Sequence, residues 1–95
     1  MYYVYVLLLK DRHFYIGLTN DIHRRYEEHR SGKSPFTSKF LPVKLLFYEA
    51  FAEREDALRR EQYFKTTKGR TTLRLMMRAT LKKHADVAEL VYAQA

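Results

Sequence analysis

The chain is expected to fold as one α/β domain of the α+β type, a three-stranded antiparallel sheet flanked by helices. Three observations carry this expectation. Tyr2 to Leu9 and the segment from Phe14 are both β-rich and are separated by the charged break Lys10-Asp11-Arg12-His13, the pattern of an antiparallel hairpin. Val43 to Phe51 supplies a third alternating run. The stretches after Gly17 and after Phe51 carry apolar residues at helical spacing. A chain of 95 residues has room for one core, which would bury roughly 60 to 70 % of its unfolded surface.

In the first strand, Tyr3, Tyr5, Leu7 and Leu9 share one face, and Tyr2, Val4, Val6 and Leu8 the other. A strand apolar on both faces is expected at the centre of a sheet covered on both sides. That accounts for its position but not for its three tyrosines. After Gly17, Thr19-Asn20-Asp21 supplies helix N-cap chemistry, Ile22, Tyr26 and His29 form an inward stripe, and Ser31-Gly32 ends the helix. Arg25 flanks that stripe one turn before His29, so both can point back toward the hairpin. On the residues alone, Arg25 could equally form a surface ion pair with a nearby glutamate, and His29 could be a hydrogen-bonded core histidine.

Residues 32–42 form a long loop that contains Pro35 and Pro42 among small polar residues and lysines. It is either a substrate-contacting rim or a connector with Phe36 and Phe40 tucked into the core. In the third strand, Val43, Leu45, Phe47 and Phe51 are expected to alternate against Lys44, Leu46, Tyr48 and Ala50. A second helix is expected over Arg54 to Thr67, with Ala57, Leu58, Glu61, Phe64 and Lys65 toward the core. A carboxylate inside that stripe needs a cation, either a bound one or a partner such as Arg25, Arg59 or Lys65. Lys65, Lys68 and Arg70 are expected to crowd the end of this helix around a Gly69 stop, where they could also grip phosphates. A third helix is expected from Thr71, with Leu73, Met77 and Leu81 inward and Met76 beside them. Residues 1–83 thus form the domain. Residues 84–95, with Val87, Leu90 and Val91 at helical spacing, form a tail that could dock as a short helix.

Eighteen Lys and Arg against eleven Asp and Glu give a formal charge of +7, which on a domain this small is either the footprint of a polyanion ligand or the solvated charge of a soluble basic protein. The absence of cysteine excludes disulfides and thiolate zinc sites and fits a reducing compartment. Tyr2 to Leu9 is too short to span a bilayer and lacks the flanks of a signal peptide. A cytoplasmic protein that does not enter membranes is expected.

Tyr3-Val4-Tyr5, followed after nine residues by Tyr15-Ile16-Gly17, resembles the paired motif of the GIY-YIG endonuclease superfamily. The similarity continues through Thr19-Asn20-Asp21-Ile22-His23-Arg24-Arg25-Tyr26-Glu27-Glu28-His29, like that family's arginine-bearing helix, and through Ala57-Leu58-Arg59-Arg60-Glu61, like its metal-binding glutamate segment. In length and in Lys68-Gly69-Arg70 the chain is most similar to small stand-alone bacterial members of largely unassigned function.

The resemblance implies a divalent-metal-dependent DNA endonuclease, structure-selective or weakly sequence-specific, acting in repair or recombination. The alternatives are a non-catalytic DNA-binding module and an interaction protein of a repair complex. By the same resemblance Glu61 would hold one Mg²⁺ or Mn²⁺ ion, Arg25 a phosphate oxygen, and Tyr5 would be the general base or would position the water. Tyr15 would orient the phosphate, His29 would belong to the catalytic set, and Gly17 would keep the backbone low where substrate passes. Lys33, Lys39, Lys65, Lys68 and Arg70 would contact DNA. Two positions depart from the family pattern. Leu18 stands where some relatives carry a lysine, and Lys65-Thr66-Thr67-Lys68-Gly69 occupies the region where many place an asparagine. A monomer, or a weak homodimer through the C-terminal helix, is expected.

Overall fold

The computed structural model describes residues 1–84. Strands β1 (Tyr2–Leu8), β2 (Phe14–Thr19) and β3 (Lys44–Phe51) form one antiparallel sheet in the order β2-β1-β3. Helix α1 (Ile22–Arg30) follows β2, and a 3₁₀ turn (Thr37–Phe40) interrupts the loop before β3. Helices α2 (Arg54–Phe64) and α3 (Thr67–Met76) follow β3, and helical backbone continues over 78–84. Val87, Leu90 and Val91, and with them the expected docking helix, lie outside the described residues. Among the described residues no helix is long and apolar enough to cross a membrane.

β1 is central because both its faces are apolar, and two helical layers cover it. Val4 and Val6 pack with Ile16 against Ala57 and Phe64 of α2, Leu73 of α3 and Met77 just beyond it. Tyr5, Leu7 and Leu9 pack on the opposite face with Val43, under Ile22 and Tyr26 of α1 and Phe40 and Leu41 of the loop. α1 therefore lies on one side of the sheet, and α2 and α3 on the other.

The alternation expected for β3 breaks at one point. The register with β1 shifts between Val6, opposite Phe47, and Leu7, opposite Leu45, so Leu46 is an extra residue. This bulge sends Val43 and Leu45 to the α1 side while Leu46, Phe47 and Phe51 face α2 and α3. A single strand thus feeds both cores.

The helix boundaries after β3 also differ from expectation. α2 ends at Phe64, not Thr67, and α3 begins at Thr67, not Thr71. Thr66 is the cause: its hydroxyl caps α3 by accepting from the Gly69 amide at 2.9 Å. Gly69 therefore lies inside α3 and is not a stop. A side chain there would run into the Tyr63 carbonyl and come within 2.8 Å of the Phe64 Cα. Its bare backbone lets the two helices turn back on each other within three residues.

Candidate active site

Asp21 starts α1 by accepting from the Arg24 amide at 3.0 Å, and the packing of Ile22 and Tyr26 against the sheet places His29 on the inward face of the helix. His29 is fully buried. Its Nε2 lies 2.8 Å from the Tyr5 hydroxyl and its Nδ1 2.7 Å from the buried Thr37 hydroxyl. Burial, with the Arg25 guanidinium nearby, lowers its pKa to about 4. A neutral imidazole has one N–H and one lone pair, so one hydroxyl donates to the ring and the other accepts from it.

Tyr5 stands opposite Gly17 in the β1/β2 ladder. Because Gly17 has no side chain, the Tyr5 ring lies across β2 and brings its hydroxyl from the central strand toward the sheet edge. Burial and the neighbouring Tyr15 push the Tyr5 pKa up to about 12, against the pull of Arg25. The cation-induced depression that a tyrosinate base requires is therefore outweighed by desolvation. Tyr15 stacks at an angle against His29, with ring centroids 5.1 Å apart, and against Phe36 at 5.9 Å.

Glu61 comes from the other side of the sheet. α2 is held there by Arg60, whose guanidinium meets Glu49 of β3 at 2.8 and 3.2 Å and lies over the Phe64 ring at 4.3 Å. The next residue, Glu61, keeps only 14 % of its side chain exposed. Of the three cations considered for it, Lys65 is the one in range, at 3.7 Å. Arg25 pairs with Glu28 at 3.1 Å, and Arg59 pairs with Glu55 and Asp56.

These side chains meet in one open cavity of about 450 Å³. Five consecutive β2 residues, Phe14 to Leu18, line it from both faces, so it runs along the strand's unpaired edge. Tyr5, Tyr15 and Gly17 form its floor, Arg25 and Glu61 approach from opposite layers, and Lys65 and Arg70 add positive charge. His29 does not line it but stands behind Tyr5. Lys33, Lys39 and Lys68 are exposed and lie outside its wall. Lys65, expected to face the core, is half exposed. Of the two loop phenylalanines, Phe40 packs into the α1-side core, while Phe36 is 58 % exposed at the cavity rim. Sequence reasoning left Thr37 unassigned, because a hydroxyl in a polar loop gives no sign that it will be buried against a histidine.

A family model described as the GIY-YIG catalytic domain matches residues 1–74. The chain belongs to the GIY-YIG family. It is 48 % identical over 65 residues to a UPF0213 protein of Lacticaseibacillus paracasei, covering 67 % of this chain and 73 % of that one. It is 45 % identical over 67 residues to a UPF0213 protein of Streptococcus pneumoniae, covering 70 % and 68 % respectively. The solution NMR structure of the UPF0213 protein BH0048 from Bacillus halodurans is similar in fold, with a TM-score of 0.53 and 35 % identity. That match covers 80 % of this chain and 85 % of the other. Tyr5, Tyr15 and Gly17 of the paired motif, Arg25 and Glu61 all border the one cavity.

Proposed function

We propose that this GIY-YIG domain hydrolyses phosphodiester bonds in DNA with the help of one divalent cation, Mg²⁺ or Mn²⁺. Cutting is structure-selective or weakly sequence-specific, in the service of repair or recombination. The observation that carries this reading is the convergence of Arg25 from α1 and Glu61 from α2 on one cavity floored by Tyr5 and Tyr15. A surface ion-pair network would not require a cation and a carboxylate from opposite faces of the sheet to meet over two tyrosines.

Among the described residues no three His, Cys, Asp or Glu side chains cluster as a metal cage. A single, largely shielded carboxylate suits Mg²⁺, which binds through one or two carboxylates plus water and substrate phosphate. Glu61 would be its protein ligand. When bound, the ion supplies Lewis-acid stabilisation of phosphate charge.

The chain's own residues bind and orient the phosphate and the water. Arg25 presents a planar fork to a non-bridging phosphate oxygen. The Tyr15 hydroxyl orients the phosphate from the edge strand. Tyr5, protonated at neutral pH and held by His29, orients the attacking water and does not act as a preformed base. Thr37 and His29 lock its hydroxyl in place, which makes them positioning residues. Lys65 and Arg70 draw the polyanion to the site.

Supercoiled plasmid and branched DNA incubated with Mg²⁺, with Mn²⁺ and with EDTA test the proposal. Nicking in either metal that stops in EDTA supports it. Binding without cleavage in both metals overturns it in favour of a DNA-binding module.

A further inference from the structure

A second concavity of about 430 Å³ adjoins the first, and Leu18 and Arg25 belong to both. These two side chains form a ridge between two parts of one groove. Beyond the ridge the wall carries Arg24 and Arg54 besides Arg25, with Asn20 and Tyr2, and Glu28 is its one carboxylate among the described residues. Glu28 is already engaged by Arg25 at 3.1 Å and more loosely by Arg24 at 3.8 Å. Arg54 is exposed and makes no ion pair among the described residues. It opens α2, where a cation opposes the helix dipole, and no side-chain bond caps that end. Among the described residues its charge is thus not taken up by an ion pair.

We infer that this second concavity is a subsite for another phosphate of the same nucleic-acid strand, held chiefly by Arg54 with Arg24, while the scissile phosphate lies beyond the ridge between Arg25 and Glu61. The inference rests on the nuclease reading of the first cavity. Arg54 and Glu61 are seven residues apart on α2, roughly 10 Å of helix axis at 1.5 Å per residue. That is far enough to separate two distinct phosphates of one strand. α2 thereby acts as a ruler, with its first residue on a flanking phosphate and Glu61 at the phosphate to be cut.

The test uses full-length Glu61→Gln protein, so that DNA stays intact, and DNA strands in which a neutral methylphosphonate replaces one phosphate at a time. Two separated positions should weaken binding. Adding Arg54→Ala should abolish the penalty at the outer position alone and lower the slope of log affinity against log salt by about 0.9 on duplex DNA. Adding Arg54→Lys should restore the slope. If Arg54→Ala leaves both the outer penalty and the slope unchanged while Arg70→Ala lowers the slope, the subsite is wrong and the nuclease reading stands. If the protein binds no DNA, both fall together.

Discussion

The Tyr5 hydroxyl lies directly over the α-carbon of Gly17, its cross-strand partner, where a methyl group would occupy the same space. Gly17→Ala should therefore displace the Tyr5 ring and break its bond to His29. We expect a loss of about 1 to 3 kcal/mol in stability, as for other overpacked cores, with a larger loss of cleavage per folded molecule. The same change in a Tyr5→Leu background should cost much less. Denaturant melts of the four proteins measure this coupling.

Glu61→Gln should remove metal-dependent cleavage while leaving the melting temperature level or raised. Its pairing with Lys65 is long and the lysine half exposed, so losing it should cost less than about 1 kcal/mol. Cleavage and thermal melts on one preparation check this. A clear drop in melting temperature with cleavage intact would make Glu61 a structural anchor.

Arg25→Ala should lower cleavage by about two to three orders of magnitude, the usual effect of removing one aligned donor from a transition state. Arg25→Lys should recover little, since an ammonium lacks the two-point fork. Loss of the Glu28 pair should cost less than about 1 kcal/mol of stability. Single-turnover rates beside melting curves separate the two effects.

His29 gives stability a defined pH dependence. Its folded pKa is lowered to about 4 from an ordinary 6.5, so protonation favours the unfolded chain. The stabilisation is complete above pH 6.5 and is lost as pH falls from there to about 4, on the order of 3 kcal/mol in all. Denaturant midpoints across this window should fall less steeply for His29→Gln, which lacks this buried titrating group.

Gly69→Ala should destabilise the fold although it lies inside a helix, where alanine is ordinarily favoured by about 1 kcal/mol. The obstruction is backbone, the Tyr63 carbonyl, and it cannot rotate away as a side chain could. A lowered melting temperature would confirm this. A raised one would show that α2 and α3 separate easily.

The sheet and α1 were legible because their signals are local. Period-two apolar runs, a charged hairpin break and an Asp21 cap sit within a few residues of the structure they specify. The three-dimensional meeting of Tyr5, Tyr15, Arg25 and Glu61 came from family resemblance, because no spacing rule places a residue of α2 beside one of α1. The bulge at Leu46 was hidden, since Leu45, Leu46 and Phe47 are all apolar and read equally well in either register. Gly69 misled because glycine near basic residues is a common helix stop, and its close contact with Tyr63 depends on tertiary packing. Arg54 carries a legible signal of its own, a cation in the first turn of a helix where two acidic residues follow it.

An unpaired strand edge is also a template for another strand, and β2 presents one flanked by apolar Phe14, Ile16 and Leu18. Arg25, Glu61, Lys65 and Arg70 overhang that edge and would be stripped of water by any chain adding to the sheet. The groups assigned to DNA chemistry are therefore also gatekeepers of solubility. Variants that neutralise several of them together face a hazard unrelated to catalysis, the growth of intermolecular sheet from the mouth of the site.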